Sequence, residues 1–120
     1  MALRRRSLHL LAGLGFVALA GAGVSKGGAT ASDAKLLSYG RHLSGECSAC
    51  HRIDGVDDGI PSITGWDPEV FVATLTFYRN GERTNAAMVS VAQSLDDEQY
   101  KALATYFGSL PKPKLAAKKK

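Results

Sequence analysis

Apolar residues recur at helical spacing in three segments of the chain. The first runs from Ala34 to Leu43 and follows Ser32 and Asp33, either of which can serve as a helix N-cap. Gly40 lies in the middle of this segment, where glycine costs stability relative to alanine. We therefore interpret Gly40 as the point at which a second helix crosses closely.

Two more helices are predicted further along the chain. Asp67 followed by Pro68 indicates a helix start, and the apolar spacing that follows stops near Asn80. The third helix opens in the run Ser94-Leu95-Asp96-Asp97 and ends at Gly108. The intervening stretches 52–66 and 82–93 show no clear period and are predicted to be loops. Because no segment alternates as a strand does, the sequence predicts an all-α fold.

The first 31 residues have the layout of a secretory signal peptide. Arginines at positions 4–6 precede a mostly apolar stretch from Leu8 to Val24, and small residues favour cleavage after Ala20 or Ala31. An uncleaved membrane anchor is the alternative, but the apolar stretch is short and rich in glycine. We therefore expect an exported, periplasmic protein without stable membrane insertion after cleavage.

Charge divides the rest of the chain into a domain at 32–110 and a tail at 111–120. The whole chain has 15 basic and 11 acidic residues, but the predicted leader contains four of the bases and none of the acids. Five of the remaining bases are lysines of the tail, which we expect to be disordered, so the domain itself is acidic. A nucleic-acid partner is not expected, because such a protein carries positive charge on its folded face.

The only two cysteines, Cys47 and Cys50, are followed directly by His51. A thioredoxin-like dithiol would need a βαβ setting, a structural zinc site would need four ligands, and a disulfide here would close a very small loop. Covalent haem attachment uses all three residues, because each thiol can bond one vinyl group while the imidazole ligates the iron. The sequence therefore predicts one covalently bound haem c, which would also stabilise a domain of only about 80 residues.

The second axial ligand can be inferred by elimination. After leader cleavage the chain has one methionine, Met88, and one further histidine, His42. His42 belongs to the helix that leads into the attachment motif, so it should not reach the opposite face of the haem. A bare packing role is the alternative for Met88. We predict that it ligates the iron, and His/Met ligation favours electron transfer over oxygen or peroxide chemistry.

Several features of the chain occur together in one family: the Cys47–His51 motif, Gly40 before it, a proline after it, Met88 and an aromatic last helix. With them, the chain resembles the class I c-type cytochromes. The resemblance implies three to five helices around one haem, with Gly40 crossing the last helix at Tyr106 or Phe107. It also implies that the carbonyl of Pro61 accepts the second N–H of the proximal histidine. Arg52 departs from the family pattern, in which glycine more often follows that histidine.

A narrower similarity rests on several short motifs after the attachment site. These are Pro61-Ser62-Ile63, Asp67-Pro68-Glu69-Val70-Phe71-Val72, Gly81-Glu82-Arg83, Met88 and Tyr106-Phe107. They are similar to the cytochrome subunit of flavocytochrome c sulfide dehydrogenases and to monohaem cytochromes of sulfur-oxidising bacteria. The resemblance implies sulfur oxidation and a redox partner that is a sulfide-oxidising flavoprotein subunit.

Two other functions remain open on the sequence. A free-standing electron shuttle between redox complexes would use the same residues, and a haem-based sensor would need an open sixth site. The chain has no carboxylate pair or nucleophile arrangement typical of an enzyme, so we expect an electron carrier. Arg79 and Arg83 are candidates to pair with the haem propionates, and solvated surface positions are equally compatible with them.

Overall fold

The computed structural model describes residue 28 and residues 30–113. Within these residues the chain forms four helices and no strand: α1 (Ala31–Ser48), α2 (Pro68–Arg79), α3 (Ala86–Ser94) and α4 (Asp97–Ser109). The all-α prediction is confirmed. None of these helices combines the length and apolar character needed to cross a bilayer. Most of the predicted leader (1–31) and of the predicted tail (111–120) lies outside the described residues.

Helix α1 is longer at both ends than the sequence pattern predicts. Its N-cap is Thr30, not Ser32 or Asp33, because Asp33 takes the third helical position and completes a reciprocal capping box with Thr30. The Thr30 amide donates to the Asp33 carboxylate at 2.9 Å. At its other end the helix continues to Ser48, so Cys47 lies in the last turn.

The first and last helices cross at Gly40. A Cβ atom at this position would overlap the backbone carbonyl of Ala102 and come within 2.9 Å of the Tyr106 Cβ atom. Gly40 is therefore required for the close approach, as the sequence predicts. Of the two aromatic residues that the resemblance offers as partners, Tyr106 lies at the crossing. Phe107 stacks instead on Phe71 of α2, with ring centroids 5.7 Å apart.

Helix α4 is the centre of the packing. It packs against α1 and α2, and α2 packs against α3, whereas α1 does not pack directly on α2 or α3 among the described helices. The buried core is built mainly from α4 and α2. Its members are Ile63, Phe71, Leu75, Ala92, Tyr100, Leu103, Ala104 and Phe107. The space that remains between the end of α1 and the α2–α3 pair is the cavity described below.

The loop between α1 and α2 is fastened to the end of α4. Gly65 has a φ of +67°, and its N–H donates to the carbonyl of Phe107 at 2.8 Å. Lys112 lies directly over Gly65, where a side chain would overlap it, and Pro113 packs in the same way near Gly55. Residues 111–113 thus hold in place the loop that contains Pro61.

Candidate haem site

The two cysteines and the histidine are gathered by the end of α1. The N–H groups of Cys50 and His51 both donate to the carbonyl of Cys47, at 3.2 and 2.8 Å, so the chain turns tightly around that carbonyl. Cys47 is half-buried and Cys50 is exposed, and no disulfide joins the two. Burial, followed by the neighbouring Glu46 carboxylate, raises the pKa of the Cys47 thiol.

One ring nitrogen of His51 makes a hydrogen bond. Its Nδ1 lies 2.7 Å from the carbonyl oxygen of Pro61. Because a carbonyl can only accept, Nδ1 carries the proton, and in the neutral ring the lone pair is then on Nε2. A partner of this kind also fixes the plane of the ring, which is how metal-ligating histidines are usually oriented. The structure thus brings together the two residues that the resemblance pairs.

A cavity of about 330 Å³ opens next to this motif. Its lining includes the two cysteines, His51 and the loop around Pro61, together with residues of α2 and α3. Most of the remaining lining is apolar. The apolar residues besides Met88 are Ile60, Ile63, Trp66, Phe71, Leu75, Ala87, Val91, Leu95 and Leu103.

Met88 lines the same cavity from α3. The sequence pattern places it in an irregular loop, and this prediction is wrong: residues 86–94 form a nine-residue helix. Asn85 is the N-cap, and its side-chain oxygen accepts the Met88 N–H at 3.1 Å. The thioether is therefore presented from the first turn of a helix, in a half-buried position.

These groups fit a haem. Two thiols, an imidazole with a free nitrogen and a thioether surround one mainly apolar cavity, which is the donor set of a c-type haem with two axial ligands. Within residues 28 and 30–113, no cluster of three or more His, Cys, Asp or Glu side chains is arranged to hold a bare metal ion.

Comparison with known proteins identifies the family. No family model matches the chain. Cytochrome c-554(548) of Halomonas halodenitrificans is 35% identical over 77 residues, which cover 58% of this chain and 90% of that protein. The chain belongs to the c-type cytochrome family. Since these cytochromes hold their haem covalently, the cofactor of this cytochrome is haem c.

Two longer relatives are named for their redox partner. The thiosulfate dehydrogenase electron acceptors of Thiomonas intermedia and Stutzerimonas stutzeri are 34% and 32% identical to this cytochrome over 67 and 74 residues. The matched regions cover 53% and 59% of this chain. They cover 31% and 34% of those proteins, so the cytochrome spans about a third of their length.

The two arginines that the sequence offers for the propionates are separated by the fold. Arg83 lines the cavity, with its guanidinium 4.9 Å from the centre of the Tyr78 ring. Arg79 instead donates to the Asp97 carboxylate at 2.7 Å and lies over the ring of Tyr100. In this cytochrome, Arg83 is therefore the arginine available to a group in the cavity.

Two contacts that hold α3 were not anticipated from the sequence. Asn85 caps α3. The hydroxyl of Tyr100, in α4, donates to the carbonyl of Ala92 in α3. An Asn that precedes a short apolar run is a signal for a helix start, and it could have indicated α3. No sequence signal identifies the Tyr100 hydrogen bond, because it joins positions on two different helices.

Proposed function

We propose that this cytochrome is a periplasmic electron carrier whose single haem is bonded to Cys47 and Cys50 and ligated by His51 and Met88. The observation that supports this most directly is the shared cavity: both thiols, the imidazole and the thioether line it. The 2.7 Å contact between His51 and Pro61 adds support, because it leaves Nε2 as the free nitrogen. The sequence contains one Cys-x-x-Cys-His motif, which fits one haem.

Each of these residues has a defined task in electron transfer. When bound, haem c accepts one electron and passes it on. The Pro61 carbonyl orients His51 and makes it a better electron donor to iron, while the Asn85 cap fixes the backbone that presents Met88. If His51 and Met88 both bound the iron, external ligands would be excluded and little would have to rearrange between the two oxidation states. A thioether ligand also raises the reduction potential.

Replacing Met88 with alanine tests the ligation. We expect the Met88→Ala protein to show a lower midpoint potential and to bind cyanide and carbon monoxide readily, since the chain after Met1 has no other methionine. Val91→Ala is a matched control, because Val91 also lines the cavity from α3 but has no ligand atom. If Met88→Ala keeps the wild-type spectrum and potential, Met88 has only a packing role.

The same ligand-binding experiment on the wild-type protein addresses the haem-sensor alternative. A carrier with both axial positions filled should bind carbon monoxide slowly and weakly at neutral pH. Fast and tight binding would favour the sensor and would contradict His/Met ligation.

We further propose that the electron donor is an enzyme that oxidises an inorganic sulfur compound. The names of the two longer relatives support thiosulfate dehydrogenase in this role. The motifs from Pro61 to Phe107 support a sulfide-oxidising flavoprotein subunit instead. In both cases the electron is delivered to haem c, and both proposals place the cytochrome in sulfur oxidation.

Reduction assays separate the two donors. The oxidised cytochrome is mixed with thiosulfate and a thiosulfate dehydrogenase, or with sulfide and a flavoprotein sulfide dehydrogenase subunit, and haem reduction is followed optically. Reactions without enzyme correct for direct reduction by sulfide. The donor is the enzyme that accelerates reduction, and no acceleration by either would contradict a sulfur-oxidising partner.

Pull-down from a native periplasmic fraction at raised salt distinguishes a stable subunit from a shuttle. A subunit should bring a flavin-containing protein with it, because an apolar interface tolerates salt. A shuttle should be recovered alone, and its reduction rate should fall as salt rises, since electrostatic steering is screened. The intact mass of the recovered protein also tests cleavage after Ala20 or Ala31 and the presence of one haem.

A further inference from the structure

Tyr100 joins two helices through its buried hydroxyl. The side chain belongs to α4 and is fully buried, and its hydroxyl donates to the carbonyl of Ala92 in α3 at 2.6 Å. Ala92 is also fully buried. Water therefore cannot replace this hydrogen bond without a local opening of the structure.

The position of Ala92 in α3 makes this bond important for the helix. The last four carbonyl groups of a helix have no partner within it, and Ala92 lies among the last four residues of a helix that ends at Ser94. Without the tyrosine hydroxyl, a buried carbonyl would lose its partner at 2.6 Å, and such a loss is costly.

Met88 lies one turn before Ala92 on the same side of α3, because residues four positions apart stack along a helix. The helix has only nine residues, which is too short to be stable on its own. Its position depends on the Asn85 cap at the beginning, packing on α2, and the Tyr100 bond near the end. Of these, the Tyr100 bond is the contact that connects α3 to the central helix α4.

The tyrosine ring is itself held in place by α2. The Arg79 guanidinium lies 4.7 Å from the ring centre and donates to Asp97 at the start of α4. This places a cation over the ring and limits its rotation. The hydroxyl is thus directed at Ala92 by contacts from two helices.

We propose that Tyr100 is a positioning residue for Met88, holding α3 against α4 so that the thioether stays directed into the cavity. This inference rests on the proposed ligation by Met88. External ligands reach the iron only after the thioether moves away. Moving α3 as a unit would first break the bond between Tyr100 and Ala92, so the tyrosine should slow the exchange of Met88 for such a ligand.

The test compares Tyr100→Phe with Tyr106→Phe in the haem-loaded full-length protein. Both variants remove one hydroxyl from α4 and keep the aromatic ring. The Tyr106 hydroxyl makes no hydrogen bond within the described part of the chain, whereas the Tyr100 hydroxyl binds Ala92. Cyanide binding to the oxidised protein, the absorption band of the iron–methionine bond and the midpoint potential are measured for each variant.

We expect Tyr100→Phe to bind cyanide about fivefold faster, which corresponds to the net contribution of one typical hydrogen bond. Its iron–methionine band should weaken and its midpoint potential should fall. Tyr106→Phe should match the wild type in all three measurements. The free energy of unfolding of both variants is recorded in parallel, so that a general loss of stability can be recognised.

Three results would overturn the inference. The first is a Tyr100→Phe protein that loses stability but keeps the wild-type cyanide rate, which would make the hydroxyl purely structural. An equal acceleration in both variants would show that the effect is not specific to Ala92. The third is a Met88→Ala protein, measured alongside, that binds cyanide no faster than the wild type. In that case the proposed ligation itself fails.

Discussion

Where α1 crosses α4, backbone meets backbone, whereas α3 faces α1 only across the cavity. The crossing depends on Gly40, which lets the carbonyl of Ala102 approach, and on Tyr106 beside it. Every group that stabilises this crossing is therefore supplied by the polypeptide. Its packing does not depend on what occupies the cavity.

The α3 side is built differently. Its nine residues are held by the Asn85 cap, by packing on α2 and by the Tyr100 hydroxyl, and Met88 and Val91 line the cavity. An apolar lining without an occupant loses packing contacts, so this side depends on the haem for part of its stability. One small protein thus contains a self-sufficient contact, the α1–α4 crossing, and a cofactor-dependent one, the α3 side of the cavity.

The largest effect is expected when haem attachment is prevented. In the Cys47→Ser/Cys50→Ser double variant, the haem stain on a denaturing gel should disappear. Part of the helical circular dichroism should be lost, because the α3 side loses its cofactor. Residual protection from hydrogen exchange should be confined to α1 and α4. Ala49→Ser, between the two cysteines, is the control and should retain its haem; covalent haem in the double variant would contradict the assignment.

The crossing can be disrupted separately with Gly40→Ala. The added methyl group would overlap the Ala102 carbonyl, so we expect a loss of about 3 kcal/mol in the free energy of unfolding, in the range for overpacked cores. Gly45→Ala is the matched control in the same helix, where nothing lies within 4 Å of the added atom. It should stabilise the protein by roughly 0.5–1 kcal/mol through helix propensity. Equal stability of the two variants in urea titrations would show that the crossing can relax.

Most of the cofactor chemistry could be read from the sequence, because it depends on local spacing. The run from Cys47 to His51 predicted haem c, and the comparison with known cytochromes confirms that cofactor. Helix starts with strong local signals were also identified, as at Asp67–Pro68 and at Asp96, which caps α4. The ligand roles of Met88 and His51 stay predictions.

The elements that were missed depend on distant contacts. Residues 86–94 contain valine and serine, which are mediocre helix formers, and the segment is too short for a clear apolar period. It becomes a helix because Asn85 caps it and because Tyr100 supplies a partner for Ala92. The hydrogen bond between His51 and Pro61 was implied by family resemblance alone, because the two positions are 10 apart in the sequence and no local pattern joins them.

A smaller effect is expected at the cap of α3. Asn85→Ala removes the acceptor of the Met88 N–H and should lower the free energy of unfolding by about 1 kcal/mol, as is typical for lost N-caps. Asn80→Ala, at the exposed end of α2, is the comparison variant and should change stability less, because its side chain is not an N-cap. Thermal unfolding of the two holoproteins measures the difference. An unchanged Asn85→Ala would mean that packing alone holds α3.

The smallest effect concerns the exposed loop after the attachment motif. The Arg52 side chain, followed by the Val56 N–H, lowers the pKa of Asp54 from 3.8 to about 2. A carboxyl whose pKa is lowered by folding stabilises the folded state above its unfolded pKa, and this contribution is lost as the pH falls through the folded value. The difference in urea midpoint between wild type and Asp54→Asn should therefore be constant above about pH 4 and vanish near pH 2. Asp58→Asn, in the same loop, is the control, and an equal pH profile for both variants would contradict the assignment.

The crossing at Gly40 also constrains the order in which the protein can fold. It joins the first helix to the last, so its two halves are separated by almost the whole domain. During synthesis α1 has no partner until α4 has left the ribosome, and any truncation before residue 97 removes that partner entirely. The cysteines at the end of α1 are therefore made long before the contact that completes the fold. The haem can therefore be attached either before or after α4 closes on α1.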